Sequence, residues 1–172
     1  MSATHTPAPI EEGALRRLAM PIAKALNTIS VDTGQSFTMR NQMGRFRIQK
    51  TVYLLRRLGY PSARRFDFNI YHMGPYSPAL AQAYYLLEDD GLRAAGQAGD
   101  VPAETLRIVA EAGARSHDFL EALTTLIDVM AQSGSPITAL AQAKAIKRHL
   151  NESTWKEVRE FLQSHPALVR VT

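Results

Sequence analysis

The sequence predicts a mainly α protein: a single compact helical domain with a small β-strand or hairpin insertion around residues 66–73. Three observations carry this. Apolar residues recur at helical spacing through most of the 172 residues. A single stretch, Phe66-Asp67-Phe68-Asn69-Ile70-Tyr71-His72-Met73, alternates with period two. No internal repeat, low-complexity segment or Pro/Gly/Ser-rich linker divides the chain. Residues 1–9 lack both the cationic start and the apolar stretch of a secretory signal. They are expected to be a disordered lead-in to the helical domain at 10–172.

The elements follow in order. Ala14, Leu15, Leu18, Ile22, Ala25, Leu26 and Ile29 share a helix face. Pro21 is expected either to kink that helix or to open a second one. Val31 to Phe37, with Asp32, Gly34 and Ser36, reads as a loop. A helix from Asn41 to Leu58 closes at Gly59, with Ile48, Val52, Leu55 and Leu58 as its stripe. Tyr60-Pro61-Ser62 breaks the chain. In the alternating stretch, Phe66, Phe68, Ile70 and His72 point one way, and Asp67, Asn69, Tyr71 and Met73 the other. A lone strand is unstable, and Leu92 to Ala95 is the expected partner. Ser77 and Pro78 have the chemistry of an N-cap and first helical residue, opening a helix to Glu88 that Asp89-Asp90-Gly91 ends. Pro102 opens a short helix. Ser116 caps a longer one carrying Phe119, Leu120, Leu123, Leu126, Ile127 and Met130, which Gly134 stops. Ser135-Pro136 begins a helix to about Leu150. Asn151 or Ser153 caps the last, which ends at His165-Pro166.

Composition excludes several function classes. Hydrophobic residues make up 45%, enough for a core, yet no apolar run is long enough to cross a bilayer, so no membrane role is expected. The chain has no cysteine, which removes disulfides, thiolate catalysis and cysteine metal sites and fits a cytoplasmic protein. Net charge is +4, unevenly placed. From Thr33 to Phe66 there is no Asp or Glu, while Arg40, Arg45, Arg47, Lys50, Arg56, Arg57, Arg64 and Arg65 fall in that window. Arginine's planar fork suits phosphate or carboxylate recognition.

Reaction chemistry finds little support. The five histidines, His5, His72, His117, His149 and His165, lack metal-ligand spacing, so no metal or cofactor is expected. Glu88-Asp89-Asp90 reads as a solvated helix end with a salt bridge to the Arg-rich helix. No phosphate-binding glycine loop or nucleophile elbow occurs. His72, Tyr76 and Glu88 would be the only candidates for catalysis, and the chain is expected not to be an enzyme.

The most specific feature is a pair of motifs. Gln49-Lys50-Thr51-Val52-Tyr53 lies on a helix with apolar flanks, where Lys50 is expected to snorkel to solvent. Gly74-Pro75-Tyr76-Ser77-Pro78 is a rigid turn, and Gln49 either flanks the apolar stripe or hydrogen-bonds buried backbone in the strand-turn segment. With Ile48 before the first motif and Tyr71 before the second, these residues resemble the Panacea antitoxin domain, to which SocA-type antitoxins belong, and the related YwgA-like proteins. The resemblance spans about Arg45 to Leu92. It implies a small, mainly helical, non-catalytic protein that binds a toxin or a phage- or defence-associated partner. Gln49, Lys50, Tyr53, Gly74, Pro75, Ser77 and Pro78 would form the family's structural frame. Tyr71, His72, Tyr76, Arg56, Arg57, Arg64 and Arg65 are the expected partner-binding residues, since Tyr and Arg most often anchor interfaces. The alternative is DNA or RNA binding through the Arg-rich 40–65 region.

Overall fold

A computed structural model describes residues 11–170, so the expected lead-in lies outside the described residues. Within them the protein is mainly α: seven α-helices and one small antiparallel hairpin. Helix α1 (Glu12–Thr33) packs along α3 (Pro78–Ala94), and α2 (Gln42–Arg57) runs through the middle. Helix α4 (Ala103–Gly113) joins α1 and α2, while α5 (His117–Ser133) packs on α6 (Pro136–Ile146) and α7 (Glu152–Ser164). Short 3-10 turns at Pro61–Arg65 and Pro166–Val169 complete the order.

Capping side chains set most helix starts. Asn41 accepts the Gly44 N–H at 2.7 Å, Ser77 that of Leu80 at 3.3 Å, Ser116 that of Phe119 at 3.1 Å and Asn151 that of Thr154 at 2.9 Å. Helix α1 continues past Pro21 and takes in Val31 to Thr33, where a loop was expected. Val31 is 70% exposed, so this last turn carries no burial signal. Backbone bonds and Gly34, at φ 73°, hold it closed. Helix α6 ends at Ile146 rather than near Leu150, because Lys147 leaves helical geometry at φ −115°, ψ 61°.

The strand is shorter than expected and pairs elsewhere. Strand β1 (Asn69–Tyr71) pairs with β2 (Gly74–Tyr76), with Asn69 opposite Tyr76 and Tyr71 opposite Gly74. Leu92 to Ala95, the expected partner, is α3 instead. Phe66, Phe68 and Ile70 do face inward and Asp67, Asn69 and Tyr71 outward, but His72 is exposed because the turn intervenes. Neither His72 nor Met73 has a positive φ, so the left-handed residue falls one place later, at Gly74 with φ 91°.

Helix α3 breaks where its end was expected and then resumes. Glu88 takes φ 55°, ψ −179°, a region almost reserved for glycine. Asp89, expected to be solvated, is instead 5% exposed. Its carboxylate accepts the Thr38 hydroxyl at 2.6 Å and the Met39 N–H at 2.8 Å, and Arg40 lies 3.1 Å away. Burial would raise its pKa, but these three donors outweigh it and hold it below the ordinary carboxylate value.

Candidate binding site

Helix α2 is the spine of the site. Every residue from Ile48 to Leu55 is buried, so its polar side chains must find partners inside. Gln49 clamps the junction between β2 and α3: its Nε2 donates to the Ser77 carbonyl at 3.0 Å, and its Oε1 accepts the Ser77 N–H at 2.9 Å. Both backbone groups of a buried residue are thereby satisfied by one side chain.

Lys50 does not snorkel. It is 2% exposed, with its amine turned onto the backbone of the hairpin rather than out to solvent. Its Nζ donates to the Pro75 carbonyl at 2.8 Å and lies 5.1 Å from the centre of the Phe46 ring. Burial pushes its pKa down to about 7; Glu121 and Asp128 pull it up, and Lys147 pushes it further down.

A second buried lysine holds the other strand. Lys147, also 2% exposed, donates to the carbonyls of Tyr71, at 3.2 Å, and His72, and pairs with buried Glu121 at 3.1 Å. His149 approaches the same carboxylate at 3.3 Å. Gly74 fits tightly against α5: a Cβ there would lie 3.0 Å from Thr125 Oγ1 and 3.2 Å from Lys50 Nζ. The hairpin is therefore held by its backbone, with Tyr71 and His72 exposed and Tyr76 half-buried.

Those side chains form one wall of a cleft of about 280 Å³ between the hairpin, α2 and α3. Tyr71 and Tyr76 meet edge-on with ring centres 5.3 Å apart, and Tyr84 and Tyr85 tilt together at 5.1 Å. Phe46 and Met73 complete the apolar lining; Gln42, Arg45, Gln49, Lys50 and His72 supply polar groups. Among the described residues no Asp or Glu lines it. Tyr71 and Tyr85 are about half exposed, at 48% and 52%, and form the rim.

The expected partner-binding residues are not on one face. Tyr71, His72 and Tyr76 line the cleft. Arg56 and Arg57 line a separate polar cleft of about 470 Å³ with Tyr53, Asp67 and Asp128. Arg56 donates to the Arg64 carbonyl at 2.6 Å, and Arg57 to those of Leu168 at 3.2 Å and Arg170 at 3.3 Å. Arg64 and Arg65 sit exposed on the 3-10 turn and line neither cleft. The separation is geometric: Arg45 and Arg56 are eleven residues apart, roughly 16 Å along a helix. In the second cleft, the Tyr53 hydroxyl donates to Asp128 at 3.1 Å. Burial raises both pKa values, well above the ordinary phenol in Tyr53, while Tyr53, Arg57 and Arg56 oppose the rise in Asp128.

Sequence reasoning missed Gln42, Tyr84 and Tyr85 as cleft residues, and Glu121 and Lys147 as hairpin anchors. Tyr85 was detectable as a tyrosine off the apolar face of α3. Lys147 and Glu121 had no local signal, since they meet the hairpin only through the packing of α5 and α6. Glu88, grouped with His72 and Tyr76 as a catalytic candidate, lies outside the cleft on the exposed side of the α3 break. Among the described residues no cluster of His, Asp or Glu is placed to hold a metal ion, and no helix is long and apolar enough to cross a membrane. Comparison with family models, curated proteins and solved structures returns no match to this chain.

Proposed function

We propose that the protein is a non-catalytic binding module that takes a segment of a partner protein into the aromatic, basic cleft beside the hairpin. The supporting observation is the anchoring of the hairpin: Gln49, Lys50 and Lys147 tie down Ser77, Pro75, Tyr71 and His72 from within. A surface held this way loses little conformational freedom on binding, which favours recognition by a preformed site. Tyrosines and an arginine at its opening are the side chains that most often anchor interfaces. The antitoxin resemblance adds a class of partner: a toxin, or a phage- or defence-associated protein.

Co-expression with the product of the adjacent gene tests this reading. The two proteins should co-purify, and Tyr76→Ala should weaken the complex about tenfold or more. If the protein neither binds that product nor relieves its toxicity, the reading is wrong. The nucleic-acid alternative has less support, because Arg56 and Arg57 line a cleft that also carries Asp67 and Asp128, apart from Arg45. A mobility shift with duplex DNA or RNA that weakens steeply with salt would favour it instead.

A further inference from the structure

We propose that the cleft receives the carboxylate of an acidic side chain on an extended peptide segment of the partner, with Arg45 and Lys50 as its counter-charges. This rests on the binding-module reading and specifies the chemistry of what binds.

Charge complementarity is the first argument. Arg45, Lys50 and His72 line the cleft, and no carboxylate among the described residues joins them. Lys50 has no direct ion pair among the described residues: Lys147 and His149 approach the Glu121 carboxylate, and Glu121 and Asp128 act on Lys50 only at longer range. Lys50 has the Pro75 carbonyl as its single hydrogen-bond acceptor among the described residues, whereas an ammonium carries three donors. The second argument is shape. Phe46, Tyr76 and Tyr84 wall the cleft with rings, and its 280 Å³ suits one or two side chains rather than a folded element. Lys50 lines the cleft below its rim, and the short stem of Asp or Glu carries a carboxylate toward it. A phosphodiester, with sugars on both sides, stays at the rim.

Binding should also move a proton. The charged groups acting on Lys50 are Glu121 and Asp128 from α5 and Lys147 after α6; His72 and Tyr76 on the hairpin and Tyr84 on α3 share its cleft. With burial holding the Lys50 amine near neutrality, an arriving carboxylate favours its charged form, so the complex takes up a proton slightly above neutral pH.

The test uses the full chain and three probes: a blocked pentapeptide Ser-Phe-Glu-Leu-Ser, its Glu→Gln counterpart, and a single-stranded RNA nonamer. Titration calorimetry at about pH 7.5 in two buffers of different ionisation enthalpy reads affinity and proton uptake together. The Glu peptide should bind about tenfold or more tightly than the Gln peptide, with proton uptake that Lys50→Met abolishes. Arg45 spends one of its five donors on the Met39 carbonyl, at 2.9 Å, and is not a hairpin anchor; Arg45→Gln should reduce the Glu/Gln ratio, so the inference stays testable if Lys50→Met unfolds. Equal binding of the two peptides, no binding of either, uptake absent in the wild type, or displacement of the peptide by the RNA would each overturn it. If the peptides fail while the adjacent gene's product still binds and Tyr76→Ala weakens it, the binding module stands and the carboxylate assignment alone falls.

Discussion

Lys50 concentrates the physical chemistry of this protein in one side chain. A helix position with apolar neighbours on both sides ordinarily belongs to Leu or Ile; here it holds an amine whose acceptor is a carbonyl 25 residues away. Burial lowers its pKa from 10.5 to about 7. Between those values the unfolded chain carries the proton and the folded chain does not, so stability rises with pH across the window, and the cost is greatest below it. Urea unfolding followed from about pH 7 to about pH 10 should show this slope, and Lys50→Met should remove up to about 1.4 kcal/mol per pH unit of it. Parallel slopes for the two proteins would mean that Lys50 is charged and solvated. Gln49 differs in how readable it was. Its reach to the turn is one of two readings open to a polar side chain beside an apolar stripe, and the structure shows that bond. The burial of Lys50 was not readable, since snorkelling and burial produce the same local pattern.

At the scale of elements, short-range signals located the boundaries and long-range contacts adjusted them. Ser77-Pro78, Ser116 and Asn151 mark helix starts because capping is decided within four residues. The hairpin could not be placed this way. Gly74-Pro75-Tyr76 reads as a turn in isolation, and it becomes β2 because Lys50, Lys147 and α5 pin it beside β1. Helix α3 makes the same point in reverse. The acidic cluster was a sound stop signal, and the helix does break there, but Asp89 then docks on Thr38 and Met39, drawing the chain into a further turn. Glu88 absorbs the mismatch in a glycine-like conformation. Glu88→Gly should therefore stabilise the protein by roughly 1 kcal/mol, the reverse of glycine's usual effect within a helix, while Glu88→Ala should not. A fall in the denaturation midpoint on Glu88→Gly would show that no strain resides there.

Across the whole molecule, the buried pair Lys147–Glu121 couples the C-terminal helices to the cleft. It links α5 to the end of α6 and, through Lys147, to the hairpin carbonyls. A two-stranded hairpin has little stability of its own, so its order depends on such anchors. Lys147→Met leaves Glu121 buried without its closest cation and should cost about 3–5 kcal/mol. Hydrogen exchange should then accelerate at Asn69–Tyr76 more than in α1. Uniform acceleration would instead indicate general destabilisation without a specific tie to the hairpin.

The helical class, the capped helix starts and the single hairpin region were legible along the chain, because periodicity, capping and turn chemistry act over a few residues. Which charges are buried, which strand pairs with which, and which tyrosines share a cleft were not. Those depend on groups far apart in the chain: Lys50 with Pro75, Lys147 with Tyr71, Asp89 with Thr38. The division of the arginines followed the same rule. A run free of acidic residues looked like one basic face, yet the rise of α2 carried Arg45 to the aromatic cleft and Arg56 and Arg57 to another. Sequence sets what each residue can do locally; only packing decides which residues are brought close enough to act together.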